Sequence, residues 1–144
     1  YGKYKNPSIV NEVTIRAISN YFNSAKVKFL TGDYKEALKG LRRGAFVYFD
    51  PPYMPISTSS SFTGYTENGF DYDKQVELRD ECLKLHKKGV KFLQSNSYSP
   101  EILELYADEN VFNIEVVQAR RSVNSQGDGR GEIAEVLIYN YEKE

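Results

Sequence analysis

Apolar residues recur along this 144-residue chain first at helical spacing and then in short continuous runs. Four of them follow the i, i+3, i+7, i+11 spacing of one helix face, namely Val10, Val13, Ala17 and Tyr21. This stripe predicts a well-buried helix over 9–22, which Ser8 can cap. A strand over 26–30 and a turn over 31–33 are predicted to follow.

Strands and helices alternate in the rest of the chain. The predicted elements are a short helix capped by Asp33, strand 45–49, helix 73–88, strand 90–94, helix 100–107 and strands 112–118 and 133–141. Ser99 is a suitable cap for the helix over 100–107, because Pro100 follows it at the first helical position. The alternation predicts an α/β fold with a mostly parallel sheet. The last two strands have no helix between them and should pair as an antiparallel C-terminal hairpin.

Two polar segments connect these elements. The segment over 55–72 is rich in Ser, Thr, Gly and aromatic residues, and a loop of that length is usually functional or disordered. The segment over 124–131 spells G-x-G-x-G at Gly127, Gly129 and Gly131. A cofactor loop of this kind should open a helix, whereas a strand follows here, so we interpret the segment as a hairpin tip.

Composition narrows the function classes. A net charge of −1 gives no global basic surface, so any nucleic-acid contact must be local. Cys82 and His86 are the only residues of their types, which excludes an internal disulfide and a multi-histidine metal site, and no metal is expected. No signal peptide or membrane span is visible, so we expect a cytoplasmic chain without a membrane partner.

The most informative motif is Asp50-Pro51-Pro52-Tyr53, directly after the apolar run 45–49. Both prolines lack an N–H group and have φ fixed near −65°, so the turn is rigid. Its carbonyl groups find few backbone donors and can point at a ligand, and a tyrosine ring can stack on a flat partner. The motif suits a pocket for an amine-bearing ring, although a proline turn that only caps a strand has the same sequence.

At a strand end, this tetrapeptide resembles the catalytic motif of Dam-type (D12 class) DNA adenine-N6 methyltransferases. Other segments similar to that family in type and order are 1–7, Phe62-Thr63-Gly64-Tyr65, Gly69-Phe70, Ser95-Asn96-Ser97 and 120–125. The resemblance covers nearly the whole chain. It implies a Rossmann-like class I S-adenosylmethionine-dependent methyltransferase fold, incomplete at the N-terminus. Residues 1–8 would end a target-recognition segment, and 9–144 would be the C-terminal part of the catalytic domain.

The resemblance also implies a reaction and a set of catalytic residues. The enzyme would transfer a methyl group from S-adenosylmethionine to N6 of an adenine rotated out of double-stranded DNA, within a short palindrome such as GATC. Asp50 and the Pro51 carbonyl would accept the two amine protons, Tyr53 would stack on the base, and Pro52 completes the rigid turn. Positioning and electrostatics would supply the rate, without a covalent enzyme intermediate.

Cofactor contacts are implied for Asp33, Tyr34 and Asp50. Asp33 would bind the adenine amine of S-adenosylmethionine and Tyr34 would pack on the ring, whereas a helix N-cap is an equal alternative for Asp33. A glycine-rich loop for the methionine part and an acid for the ribose are not visible before Asp50. We therefore expect these residues alone to bind the cofactor poorly and to be inactive.

DNA contacts are implied for seven residues: Lys3, Lys5, Tyr65, Arg120, Arg121, Ser122 and Asn124. Most would contact phosphates, while Lys3 can also reach a base and Tyr65 can either cover the flipped base or pack its own loop. A cognate restriction endonuclease can belong to the same system without direct contact. Two alternatives stay open, an N4-cytosine or RNA amino-methyltransferase and a non-catalytic DNA- or protein-binding subunit.

Overall fold

The structure, a computed structural model, describes residues 10–56, 70–120 and 132–143. Its elements are α1 (Glu12–Ser24), α2 (Tyr34–Leu38), β1 (Phe46–Phe49), α3 (Tyr72–Lys87), β2 (Lys91–Ser97), α4 (Pro100–Leu105), β3 (Asn113–Arg120) and β4 (Glu132–Tyr139). The chain divides into two compact units, Tyr1–Ala37 and Leu38–Glu144. All predicted helices, and every predicted strand except 26–30, are present with ends within three residues of the prediction.

In the first unit, α1 is exposed along its whole length. It begins after Asn11, whose side chain accepts a hydrogen bond from the Thr14 N–H at 3.1 Å, and the predicted cap Ser8 lies outside the described residues. No residue of α1 is buried, and Val13 is 81% exposed. The prediction of a well-buried helix is therefore wrong. An apolar stripe shows which face can be buried, but burial needs a partner surface that periodicity cannot supply.

The predicted strand over 26–30 is also wrong. These residues form no strand, and the described part of the chain pairs no strand with them. The Val27 N–H donates instead to the nearby Ala25 carbonyl at 3.0 Å. Phe29 packs edge-on against Phe22 of α1 at 5.0 Å between ring centroids. A β-strand exists only through a neighbour that completes its hydrogen-bond ladder, which the local sequence does not determine.

The second unit contains one four-stranded sheet in the order β1-β2-β4-β3. β1 and β2 pair parallel, with Phe49 opposite Gln94, whereas β4 is antiparallel to both β2 and β3. The hairpin of the last two strands is confirmed, but the mostly parallel sheet is wrong, because the sheet is mixed. The reversed strand β4 inserts between β2 and β3 and so makes two antiparallel ladders instead of one at the edge.

The core of this unit lies between the sheet and the helices α3 and α4. Ser99 caps α4 as predicted, accepting from the Ile102 N–H at 3.4 Å, and Asp71 caps α3, accepting from the Lys74 N–H at 3.1 Å. The most deeply buried apolar residues are Leu78, Cys82, Leu85, Val90, Phe92, Ile102, Tyr106, Val136 and Ile138. They hold β2 and β4 rigidly against the helices, which fixes the strand ends that precede the candidate site.

We expect Cys82 to resist alkylation in the folded protein. Burial raises the pKa of its thiol, and the thiolate is the reactive form. Iodoacetamide labelling of the full-length protein, read by mass spectrometry of the peptide that contains Cys82, should be slow without urea and fast with it. A cysteine in place of the half-exposed Val116 is the control, and equal labelling of the two sites in the folded protein would contradict the packing of α3.

Candidate active site

Asp50 lies at the carboxyl end of β1, beside the carboxyl end of its parallel neighbour β2. The Ser95 hydroxyl of β2 is buried and donates to the Asp50 carboxylate at 3.2 Å. The Tyr48 hydroxyl lies 3.2 Å from the Ser95 hydroxyl. Because the serine proton points to the carboxylate, Tyr48 is the donor and Ser95 the acceptor of this bond. Asp50 itself is exposed. The carboxylate is thus held from the sheet side and open to a ligand on the other.

Tyr53 is half-buried and held through its hydroxyl group. It donates to a Glu135 carboxylate oxygen of β4 at 3.3 Å. Burial raises the pKa of Tyr53, the contact with the Ser95 hydroxyl opposes the shift, and the carboxylates of Glu135 and Asp50 add to it. The phenol is therefore a neutral O–H donor at physiological pH, and the bond to Glu135 orients its ring.

The backbone of the turn has both occupied and open acceptors. The Pro52 carbonyl accepts from the Gln75 side chain at 2.9 Å, and the Met54 N–H donates to Asn96 at 3.1 Å. No donor among the described residues reaches the Pro51 carbonyl. Asp50 and the Pro51 carbonyl are thus acceptors on successive residues, and an exocyclic amino group with two protons needs two acceptors.

The predicted cofactor residues Asp33 and Tyr34 belong to the first unit. Asp33 accepts from the Lys35 N–H at 2.9 Å, so it caps α2 as one of the two interpretations of the sequence expected. Its other carboxylate oxygen lies 3.7 Å from the Lys35 ammonium group, and half of its side chain is exposed. Capping therefore leaves an oxygen with room for a further donor, and the cofactor contact stays a prediction.

The predicted DNA contacts concern residues whose side chains are not described. Arg120 is the last residue of β3 and pairs with Glu132 through the backbone. The other six lie outside the described residues, together with the G-x-G-x-G segment: Lys3, Lys5, Tyr65, Arg121, Ser122 and Asn124. Within the described ranges, no three His, Cys, Asp or Glu side chains come close enough to hold a metal ion. No helix there is long and apolar enough to cross a membrane.

Four residues of the site were missed as individual functional residues: Gln75, Ser95, Asn96 and Glu135. The sequence carried a signal for three of them. Ser95 and Asn96 interrupt the apolar pattern at the end of a central strand, and Gln75 continues the buried stripe of α3 at the i−3 position from Leu78. Glu135 has no local signal, because only the pairing of β4 with β2, Glu135 opposite Ser97, brings it to the site.

Comparison with known proteins gives the family. Residues 1–123 match the model of the D12 class N6 adenine-specific DNA methyltransferases. Because this match extends over most of the chain, the chain belongs to that family.

Individual relatives agree with this assignment. The type II methyltransferase M1.LlaDCHI of Lactococcus lactis subsp. cremoris is 47% identical over 141 residues, which are 98% of this chain and 49% of that protein. The type II methyltransferase M.MjaIII of Methanocaldococcus jannaschii is 42% identical over 98% of this chain and 48% of its own length. A DNA adenine methylase of Vibrio cholerae is 31% identical over 95% of this chain and 48% of its own length. The chain thus spans about half the length of these relatives.

Proposed function

We propose that this chain is part of a DNA methyltransferase that methylates N6 of an adenine rotated out of double-stranded DNA. The observation that carries the proposal is the pair of open acceptors at the end of β1, the Asp50 carboxylate held by Ser95 at 3.2 Å and the adjacent Pro51 carbonyl. Family membership supports adenine as the base. The names of two relatives, both type II methyltransferases, support a restriction–modification system. A cognate endonuclease without direct contact and a short target such as GATC belong to the proposal.

In the proposed mechanism, the residues of this chain bind and orient the base. The lone pair of the adenine amino group is delocalised into the ring, which makes it a poor nucleophile. Hydrogen bonds from its two protons to Asp50 and to the Pro51 carbonyl favour localisation of the lone pair and aim it away from the turn. Tyr53, oriented by Glu135, stacks on the ring and excludes water from one face. Asp50 orients the amine and stabilises the positive charge that develops on it.

S-adenosylmethionine is the proposed methyl donor, and when bound it supplies an electrophilic sulfonium methyl group. Asp33 and Tyr34 would hold its adenine ring, with Asp50 near the transferred group. The half-exposed Asp33 side chain fits this role, because a carboxylate oxygen that pairs with Lys35 at 3.7 Å can also accept from an exocyclic amine. In the relatives, the glycine-rich loop and the ribose-binding acid of such a fold would lie in the half of the protein that this chain does not match.

We also propose that the second unit is the C-terminal half of a Rossmann-like class I fold. Support comes from the direction of the strands: β1, β2 and β3 run the same way, and only β4 is reversed. The site then lies at the carboxyl ends of β1 and β2, the edge where open α/β sheets bind ligands. The DNA contacts are part of the same proposal: Lys3, Lys5, Arg120, Arg121, Ser122 and Asn124 would contact phosphates, and Tyr65 would partly cover the flipped base.

The product of the full-length enzyme tests the proposed function. DNA incubated with the enzyme and labelled S-adenosylmethionine is digested to nucleosides, and the methylated species is identified by mass spectrometry. We expect label on N6-methyladenine only. Label on N4-methylcytosine, or label in RNA from a parallel incubation with RNA, would replace the proposed substrate. Binding of duplex DNA in a gel-shift assay without any transfer would show a non-catalytic subunit.

A further inference from the structure

Two side-chain amides lie buried between α3 and the end of β2. Gln75 of α3 and Asn96 of β2 are both fully shielded from solvent. The Asn96 amide nitrogen donates to the Gln75 side-chain oxygen at 3.0 Å. Burial of an amide destabilises a fold unless its hydrogen bonds are made, so the bonds of this pair matter for the structure around it.

The remaining bonds of both amides go mainly to the catalytic turn. Gln75 donates to the Pro52 carbonyl at 2.9 Å, while Asn96 accepts from the Met54 N–H at 3.1 Å and from the Ser97 N–H at 2.9 Å. The Pro52 carbonyl belongs to the peptide group before Tyr53, and the Met54 N–H belongs to the peptide group after it. The pair therefore holds the backbone on both sides of Tyr53.

The direction of each bond in this network is determined. A backbone carbonyl can only accept and a backbone N–H can only donate, so Gln75 must present nitrogen to Pro52 and Asn96 must present oxygen to Met54. The bond between the two side chains then has only one consistent direction, which is the observed one. Reversing either amide would place two like groups against each other, so the network has a single orientation.

This network also determines which carbonyl of the turn stays open. Pro51 and Pro52 have no N–H group, so the turn cannot anchor itself through donors of its own at these positions. With the Pro52 carbonyl bound to Gln75, the open backbone acceptor next to Asp50 is the Pro51 carbonyl. A rotation of the turn that released Pro52 would move the Pro51 carbonyl and the Tyr53 ring together.

We propose that Gln75 and Asn96 are positioning residues of the methyl-transfer reaction. Acting as one unit, they orient the Asp-Pro-Pro-Tyr turn so that the Pro51 carbonyl and the Tyr53 ring face the target base. The inference rests on the proposed function, and it adds that two buried residues without contact to the substrate set the rate. Misplacing a reacting group by about 1 Å can reduce a rate about a hundredfold.

The test uses the full-length enzyme with Gln75→Met, which nearly keeps the length and volume of the side chain but removes both its donor to Pro52 and its acceptor for Asn96. We expect kcat to fall roughly 10- to 100-fold because the turn is misplaced. KM for S-adenosylmethionine should change little, because Asp33 and Tyr34, which are proposed to hold its adenine ring, lie outside the turn. Cys82→Ala is the matched control, since Cys82 lies on the same buried face of α3 and its thiol contacts Gln94 of β2 at 3.8 Å. It should lose stability and keep its kcat.

Two further variants separate positioning from folding. If Gln75→Met does not fold, Gln75→Glu replaces it, because an ionised carboxylate keeps the acceptor for Asn96 but cannot donate to Pro52, whereas the protonated acid can. Assayed at alkaline pH, its kcat should fall by a similar factor. The kcat of the double variant Gln75→Met with Asn96→Leu should be little lower than that of the worse single variant, because the two residues act together on the turn.

The outcomes are distinct. A kcat within threefold of the Cys82→Ala value for both Gln75 variants, or losses that multiply in the double variant, would overturn the positioning role and leave adenine methylation intact. A wild-type enzyme that does not methylate adenine would overturn the proposed function itself, and this inference with it.

Discussion

Replacement of Asp50 by alanine in the full-length enzyme is expected to reduce kcat for methyl transfer to DNA about a hundred- to a thousandfold. The loss should be of the size seen when one preorganised hydrogen-bonding group is removed from an active site. Asp50 is exposed at the end of β1 and is held on its inner side by Ser95, so its removal should leave the sheet intact. The measurement is transfer of a labelled methyl group at saturating DNA and cofactor.

Two variants control this experiment. Asp50→Asn keeps one oxygen acceptor but loses the negative charge, so its kcat should lie between those of wild type and Asp50→Ala. Asp80→Ala removes an exposed acid of α3 whose partner is its neighbour Arg79, and it should leave kcat unchanged. Asp50→Ala activity above a tenth of the wild-type rate would remove Asp50 from the mechanism.

Replacement of Tyr53 by alanine is expected to lower kcat/KM for DNA about 5- to 150-fold. Stacking of an aromatic side chain on a base contributes about 1–3 kcal/mol, and each 1.4 kcal/mol is a factor of ten. Tyr53→Phe keeps the ring and loses the contacts of the hydroxyl group with Glu135 and Ser95, which predicts a loss of at most about tenfold. Tyr141→Ala, at the opposite end of β4, is the control for removal of a tyrosine ring.

The pH dependence of the Tyr53→Phe effect follows from the pKa of Tyr53. Burial raises this pKa above its ordinary value of 10.0. The protonated phenol, which is the donor to Glu135, is therefore fully present below pH 10 and is lost only as the pH rises through the raised pKa. The ratio of wild-type to Tyr53→Phe activity should be constant between pH 6 and 9.

Equal kcat/KM for wild type and Tyr53→Ala would exclude stacking by this ring.

The sequence predicted β1 and its turn correctly because the signals there are local. A continuous apolar run favours a strand, and two prolines require a rigid turn directly after it. The run is typical of a central strand, whereas β1 lies at the edge of the described sheet with Phe46 and Tyr48 exposed. The cap of α4 by Ser99 and Pro100 is local in the same way. For this reason the catalytic candidates Asp50 and Tyr53 were found before any tertiary contact was known.

The wrong predictions all depend on partners distant in sequence. The apolar stripe of α1 indicates which face can be buried but not which surface would bury it. The segment 26–30 can form a strand only if a neighbouring strand pairs with it. The insertion of β4 between β2 and β3 is a pairing choice that two adjacent strands do not reveal. The role of Glu135 depends on that same insertion. Because β4 pairs with β2, Glu135 lies opposite Ser97 and so reaches the hydroxyl of Tyr53.

A structure of the full-length enzyme with target duplex DNA and a cofactor analogue tests the central claim most directly. The distances to measure join the N6 nitrogen of the flipped adenine to the Asp50 carboxylate and to the Pro51 carbonyl oxygen. We predict that both lie within hydrogen-bonding range, about 2.7–3.2 Å, with the Tyr53 ring parallel to the base. An adenine that remains stacked in the duplex, or whose amine binds other groups, would contradict the account.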